Sequence, residues 1–154
     1  MTNPIIKATK SEDIEGLQAV LDGTELFPSE MLPNMLAPSL AGETEAFWLT
    51  CHSGGEAVGL CYTVPEELAD GTWNMLALAI RPDFQGKRMG ASLVSTVEQH
   101  LKNTGQRILI VDTSGTADFA LVRKFYAQNG YEEEARIRDF WADGDDKVIF
   151  RKAL

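Results

Sequence analysis

The sequence is short of several things, and each shortage removes a class of function. Basic residues are outnumbered: 14 Lys and Arg against 23 Asp and Glu, a net charge of −9. Nucleic acid is therefore excluded as the main partner, since phosphate binding wants a basic face. An acidic surface suits a cationic ligand, or simply keeps the protein in solution. There are only two cysteines, Cys51 and Cys61. Neither sits in a CxxC or zinc-like spacing, and both fall in apolar strand-like runs, so they read as small buried hydrophobes. No residue set has metal-ligand spacing, which leaves metal chemistry without a candidate. No apolar run reaches about 18 residues and no basic-then-apolar leader opens the chain, so the reading is a cytoplasmic, soluble protein without a membrane contact. Low-complexity tracts, repeats and linkers are missing too. The 154 residues suffice for one domain with a real core, taken as 1–154.

What is present reads as alternating strands and helices. A short strand in PIIKAT precedes a helix with Ile14, Leu17 and Leu21 on one face, opened by a Thr9–Glu12 capping box and stopped at Gly23. The Pro- and Met-rich stretch after it holds one short helix carrying Leu32, Met35 and Leu36. Two β-rich runs around SGGE form a hairpin. TWNMLALAIRP is apolar almost throughout and reads as a central strand ended by Pro82. A helix with Leu93, Val94, Val97 and Leu101 follows and stops at Gly105; RILIVDTS is a buried strand. TADFALVRKFYAQNG is a helix carrying Phe119, Val122, Phe125 and Tyr126, closed at Asn129–Gly130. YEEEARIRDFW and DDKVIFRKAL alternate as two antiparallel strands joined by ADGD. The order is βααβββαβαββ, a mixed α/β sheet of about seven strands.

The stretch most loaded with chemistry is RPDFQGKRMGASLV, residues 81–94, a glycine-interrupted turn between the central strand and a helix. The first amides of a helix lack intrahelical acceptors and lie at the positive end of its dipole, so this arrangement attracts an anion. Gly86 and Gly90 permit close approach, and Lys87 and Arg88 add charge. Phosphate is the expected guest. The turn lacks the Gly-x-x-x-x-Gly-Lys-Ser/Thr spacing of a nucleoside triphosphate loop and the Gly-x-Gly-x-x-Gly of a dinucleotide fold. The remaining pattern is Gln/Arg-x-x-Gly-x-Gly/Ala, an acyl-CoA pyrophosphate loop. QGKRMGA, residues 85–91, matches it at Gln85 and Gly90 and departs at Arg88, where glycine is usual.

Here the chain resembles the GNAT-superfamily N-acetyltransferases over nearly its whole length. LALAIRPDFQGKRMGASLV is similar to that family's fourth strand, pyrophosphate loop and third helix. ALVRKFYAQNGYEEEARIRDFW is similar to its later helix, with the FY-x-x-x-GF/Y signature, and the strand beyond. The resemblance implies a mostly antiparallel sheet with flanking helices and a splayed central strand pair, NMLALAI and RILIVDT. It implies acetyl-CoA as co-substrate in that gap. The backbone of the strand residues Leu78, Ala79 and Ile80 is expected to pair with the pantetheine arm. The amides of Gln85, Gly86, Lys87, Arg88, Met89, Gly90 and Ala91 are expected around the pyrophosphate, and Phe119 at the slot wall or in the core.

For Arg88 two outcomes follow. A positive φ costs roughly 1–2 kcal/mol at a non-glycine residue, whereas a negative φ adds a cation without strain. For catalysis the resemblance implies Tyr126 as the group that protonates the departing thiolate; a core aromatic is the alternative. Asp112 is the first candidate for taking the ammonium proton, with Glu30, Glu66 and Glu67 behind it, and a turn or capping role as its alternative. Asn74 and Ser114 are weaker candidates for the same cavity. An amide near Leu78 is expected to face the oxyanion. The LFPSEMLPNML stretch is either an apolar acceptor lid, with Glu25 or Glu30 attracting a cation, or helix-packing core. His52, near a hairpin turn, and His100, on a helix surface, have no role in this scheme. The expected activity is transfer of an acetyl group to a primary amine of a small molecule or peptide, by a monomer or homodimer. Two readings stand beside it: a protein N-terminal or lysine acetyltransferase, and a non-catalytic acyl-CoA-binding regulatory module.

Overall fold

The computed structural model describes residues 3–154. Seven strands form one sheet in the order β1-β2-β3-β4-β5-β7-β6. They are β1 (Ile5–Ala8), β2 (Phe47–Ser53), β3 (Glu56–Pro65), β4 (Thr72–Ile80), β5 (Ile108–Ser114), β6 (Glu132–Ala142) and β7 (Asp145–Ala153). The helices are α1 (Ile14–Thr24), α2 (Leu32–Leu40), α3 (Met89–Asn103) and α4 (Ala120–Gln128). Every neighbouring pair is antiparallel except β4 and β5, which run parallel through the α3 crossover. This is the element order and the mostly antiparallel sheet expected from the sequence.

The sheet separates two apolar layers. On one face Met75, Leu109, Val111 and Phe150 meet Leu93, Val97 and Leu101 of α3 and Tyr126 of α4. On the other, Trp48 and Leu60 meet Leu17, Val20 and Leu21 of α1 and Leu32 and Leu36 of α2. Helical spacing of three and four brings each of these helix sets to one side, and strand alternation divides the sheet residues between the layers. The turn Gly54–Gly55 has φ of 58° and 85°, the doubly left-handed turn that suits a two-residue hairpin. Cys51 and Cys61 are free and buried. No helix among the described residues is long and apolar enough to cross a membrane.

The start of α1 differs from expectation by one residue. The amide of Lys10 donates to Asp13 Oδ2 at 2.9 Å, while the Thr9 hydroxyl faces away and shares a hydrogen bond with Thr50 at 2.8 Å. Pairing of β1 with β2 claims Thr9, so capping shifts past it, and Glu12 stays exposed. Nor does Gly23 stop the helix. The chain leaves the helix at Glu25, which takes the left-handed conformation (φ 55°), and a Cβ on Gly23 would lie 3.0 Å from Pro82. Close packing on the turn after β4 is the reason for glycine there. The outer strand β6 is exposed along its length and broken by register shifts at Glu133/Ala135 and Ile137/Ala142. Bulges and charges of this kind blunt a free sheet edge.

Candidate active site

The site begins where β4 and β5 stop pairing. Their parallel register runs only from Thr72 opposite Ile108 to Met75 opposite Val111. Beyond it β4 continues against β3 and β5 against β7, so a gap opens between them. A bulge sits at the opening: Ala77 pairs with Tyr62 and Met75 with Thr63, leaving Leu76 without a partner. An extra residue bends its strand and raises the local twist, which turns β4 away from β5. Leu76 is 52% exposed although it lies on a central strand.

Two cavities meet in the gap. One, of about 540 Å3, is lined by Leu26, Phe27, Leu76, Asp112, Ser114, Phe119, Tyr126 and Trp141 among others. A second, of about 810 Å3, runs from Phe84 and the 85–91 turn to Leu121, Phe125 and Tyr126. Leu78, Ile80, Gln85, Val122 and Tyr126 line both, so they form one groove.

At the turn end the walls are mostly backbone. Among the described residues, the amides of Gly86 through Ala91 find no backbone acceptor. They lie at the N-terminus of the 15-residue helix α3, an electropositive cradle. Gly86 (φ 78°) makes the turn, and a Cβ on Gly90 would come within 3.4 Å of Phe125. Gln85 is occupied otherwise: its amide donates to Pro82 at 3.3 Å, and its side-chain nitrogen donates to the Ile80 carbonyl at 2.9 Å, tying the turn to β4. Met89 is buried in the core and offers only its amide. Arg88 takes the strained alternative, with φ of 65° and ψ of 14°. Its carbonyl accepts the Ser92 amide and hydroxyl, which starts the helix. Lys87 Nζ lies 4.9 Å from the centre of the Phe84 ring, and the Arg81 guanidinium 4.7 Å from it.

Along β4 the three strand residues differ. The Arg81 amide donates to Val58 on β3 at 2.8 Å. By alternation Ala79 also turns its polar backbone towards β3, and Leu78 and Ile80 turn theirs towards the gap. Gln85 takes the Ile80 carbonyl, so Leu78 keeps both its N–H and C=O for the groove.

At the centre, Tyr126 is 4% exposed, with ring contacts to Phe125, Tyr131 and Phe150 at 5.3–5.7 Å. Burial, followed by the nearby Cys61 thiol, pushes its phenol above the ordinary value, so it is protonated at neutral pH. Tyr131 is fixed in turn by donating to Glu98 at 2.6 Å, and Lys152 donates to the same carboxylate at 2.9 Å. Phe119 is 39% exposed and stands at the N-terminus of α4.

At the far end the walls are side chains. Asp112 follows Val111, the last β5 residue paired with β4, and its Oδ2 meets Lys147 Nζ at 3.3 Å and Asn74 Nδ2 at 3.3 Å. Asn74 Nδ2 also donates to Glu66 at 3.2 Å, so one amide joins two carboxylates, and among the described residues the buried Asn74 Oδ1 has no partner. Ser114 donates to Asp145, and both line the cavity. Glu25, Glu30 and Glu67 are exposed and do not line it. The early lid stretch divides: Leu32 and Leu36 are core, whereas Leu26 and Phe27 line the cavity. His52 pairs with Asp13 at 2.9 Å, away from the groove, and His100 packs against Phe47 on the surface.

Sequence reading did not find Leu76, Trp141 or Lys147. Trp141 donates its indole N–H to the Thr113 carbonyl at 3.2 Å, across β7, and so lies over the gap. Lys147 reaches Asp112 because the β5–β7 register sets Ile149 opposite Asp112, two residues away on the same face. Neither relation leaves a local sequence signal.

Comparison with known proteins agrees with this geometry. Residues 43–133 match the family model of the acetyltransferase (GNAT) domain. Over 85 residues the chain is 26% identical to an uncharacterized N-acetyltransferase of Methanocaldococcus jannaschii. That match covers 53% of this chain and 52% of the relative, so it spans about half the length of that protein. Among solved structures, a GNAT-family acetyltransferase candidate from Desulfovibrio desulfuricans superposes with a TM-score of 0.89 at 23% identity, covering 98% of this chain and 99% of that one. The PaiA N-acetyltransferase of Thermoplasma acidophilum, in complex with coenzyme A, gives 0.77 at 19% identity with 99% of both chains covered. The ribosomal-protein-S18-alanine N-acetyltransferase of Escherichia coli gives 0.79 at 15%, covering 99% and 94%. At these identities the superpositions speak for the fold.

Proposed function

The chain belongs to the GNAT acetyltransferases, and from that premise we propose that it moves an acetyl group from acetyl-CoA to a primary amine by direct transfer. The observation that carries the reading is the single groove joining an electropositive amide cradle to a carboxylate through the β4–β5 gap. The cradle fits the co-substrate. Its amides from Gly86 to Ala91 have no backbone acceptor among the described residues, and glycine at position 90 keeps Phe125 from being crowded.

Acetyl-CoA supplies an activated thioester carbonyl. The protein's part is to hold it and move protons. The free amides from Gly86 to Ala91 hold the pyrophosphate, with Lys87 and Arg88 adding charge beside it. Leu78 offers its N–H and C=O to the pantetheine arm, and Ile80, Ala79 and Phe119 give the arm apolar walls. The bulge at Leu76 leaves backbone donors in the gap for the developing oxyanion. Asp112 accepts a proton from the acceptor ammonium, directly or through water. As the N–C bond forms and the C–S bond breaks, Tyr126 gives a proton to the departing sulfur, and the second proton lost from the nitrogen returns through water to restore the phenol. The balance is an ammonium and a thioester consumed, and an amide, a thiol and one proton released.

The test begins with thermal melting at saturating acetyl-CoA. At about 100 times the dissociation constant, binding adds roughly 2.7 kcal/mol, which for this size of chain raises the melting temperature by roughly 5–10 °C. Release of free CoA on addition of an amine then establishes transfer. A shift without release on any amine would leave an acyl-CoA-binding module; no shift at millimolar acetyl-CoA would sink the donor assignment itself.

A further inference from the structure

We propose that the acceptor is a small monoamine whose amino group is carried on an apolar body, a ring or a branched alkyl chain. This rests on the reading of the groove as an acetyl-transfer site and specifies its second substrate. The acceptor half of the groove holds more exposed apolar surface than its place in the fold calls for. Leu76 is 52% exposed on a central strand, Leu26 is 42% exposed, Trp141 is 48% exposed, and the half-buried Phe27 completes the wall. Trp141 has already given its N–H to the Thr113 carbonyl, so it turns only its ring faces to a guest. These four side chains offer no hydrogen bond, and a polar guest placed against them loses its water without replacement.

Charge in the same half fits one cation. Asp112 Oδ2 is held by Asn74 and Lys147, whereas among the described residues its other oxygen has no hydrogen-bond donor. Asp145, the second carboxylate of the lining, accepts the Ser114 hydroxyl on Oδ1. Asp112 is the carboxylate assigned to the reacting ammonium, and it is the one that stands beside a lysine. Lys147 is a fixed positive charge 3.3 Å from Asp112, with its Nζ also 4.3 Å from the centre of the Phe140 ring. Lys147 stands behind Asp112 rather than in the lining, and its charge repels a second cation brought to the same carboxylate, which disfavours such a guest. A linear polyamine that meets Asp112 with one ammonium lays the rest of its polar length along leucine and tryptophan. An amino sugar places hydroxyls, and a peptide its backbone amides, against walls that cannot pair them.

The experiment compares CoA release with 2-phenylethylamine, isoamylamine, spermidine, kanamycin and an alanine-initiated hexapeptide. Wild type, Trp141→Ala and Leu26→Asp are measured with each. The two apolar monoamines are expected to lead the others in kcat/KM by at least about tenfold. Trp141→Ala is expected to raise KM for 2-phenylethylamine about tenfold while kcat changes less than about twofold, because the lost contact binds ground and transition states alike. Leu26→Asp sits on an exposed turn and adds a carboxylate to the wall, so it is expected to improve spermidine relative to 2-phenylethylamine. Preference for spermidine, kanamycin or the peptide overturns the acceptor assignment and leaves the transfer reading standing. An unchanged KM in a folded Trp141→Ala protein, with no shift of preference in Leu26→Asp, also overturns it. No release with any amine overturns the transfer reading and this assignment together.

Discussion

The two ends of the groove are built from different material. The phosphate end is backbone: six successive amides from Gly86 to Ala91, contributed by one turn and one helix start. The acceptor end is side chain: Leu26 after α1, Leu76 on β4, Asp112 on β5, Trp141 on β6 and Lys147 on β7. A backbone cradle needs only the right φ values and small residues, so one short stretch specifies it. A side-chain wall needs five elements in register, and its members lean on one another: Lys147 on Asp112, and Trp141 on the Thr113 carbonyl. The first kind of site is set by one local stretch, and the second by the packing of the whole sheet.

Four substitutions test that division, ordered by expected effect. Tyr126→Phe removes the phenol proposed as proton donor at the junction of the two ends. We expect kcat to fall about 100-fold, within the range for loss of a general acid, with the acetyl-CoA melting shift retained. Full activity would remove the phenol from the mechanism. Asp112→Asn acts on the acceptor end alone. It keeps a side chain for Asn74 and Lys147 to meet while removing the charge, and should lower kcat/KM for amines about tenfold or more without touching the acetyl-CoA shift. If the shift disappears as well, the two ends are not separable.

Arg88→Gly tests the phosphate end. It relieves roughly 1–2 kcal/mol of left-handed strain and returns roughly 0.4–1 kcal/mol as greater freedom of the unfolded chain. The free protein should melt roughly 1–3 °C higher and bind acetyl-CoA about threefold more weakly as a cation leaves the pyrophosphate. Tighter binding would mean that the arginine only strains the cradle.

Asp13→Asn, outside the groove, is the smallest perturbation of activity. Burial raises the Asp13 carboxyl's affinity for a proton, but the Lys10 amide and His52 outweigh it and hold the pKa below its usual 3.8. A folded pKa below the unfolded one stabilises the protein above pH of about 3.8 and is lost as pH falls through the folded value. Wild type should therefore lose urea resistance below about pH 4 more steeply than Asp13→Asn, with equal acetyl transfer at neutral pH. Parallel acid profiles for the two proteins would show that the carboxyl has no such part.

What could be read in advance follows the same division. Helical periodicity named the faces of α3 and α4, and the SGGE turn named the β2–β3 hairpin, because each signal lies within a few residues. The 85–91 turn was legible for that reason, including the departure at Arg88, though not the sign of its φ. The cap of α1 was misplaced because Thr9 is claimed by Thr50, 41 residues away. Gly23 resembles a helix stop in sequence, and its true role, contact with Pro82, lies across the fold. The exposure of β6 depends on its place at the sheet edge, which alternation within the strand does not report.

The sequence by itself determined the element order, the two helical faces that close the core and the amide cradle. All of these are set by contacts within one turn, hairpin or helix. Only the tertiary structure decided where β4 parts from β5, that Leu76 bulges out there, and that Lys147 and Asn74 share one oxygen of Asp112. Those depend on strand register, and register is fixed by the packing of the whole sheet rather than by any residue's neighbours in the chain.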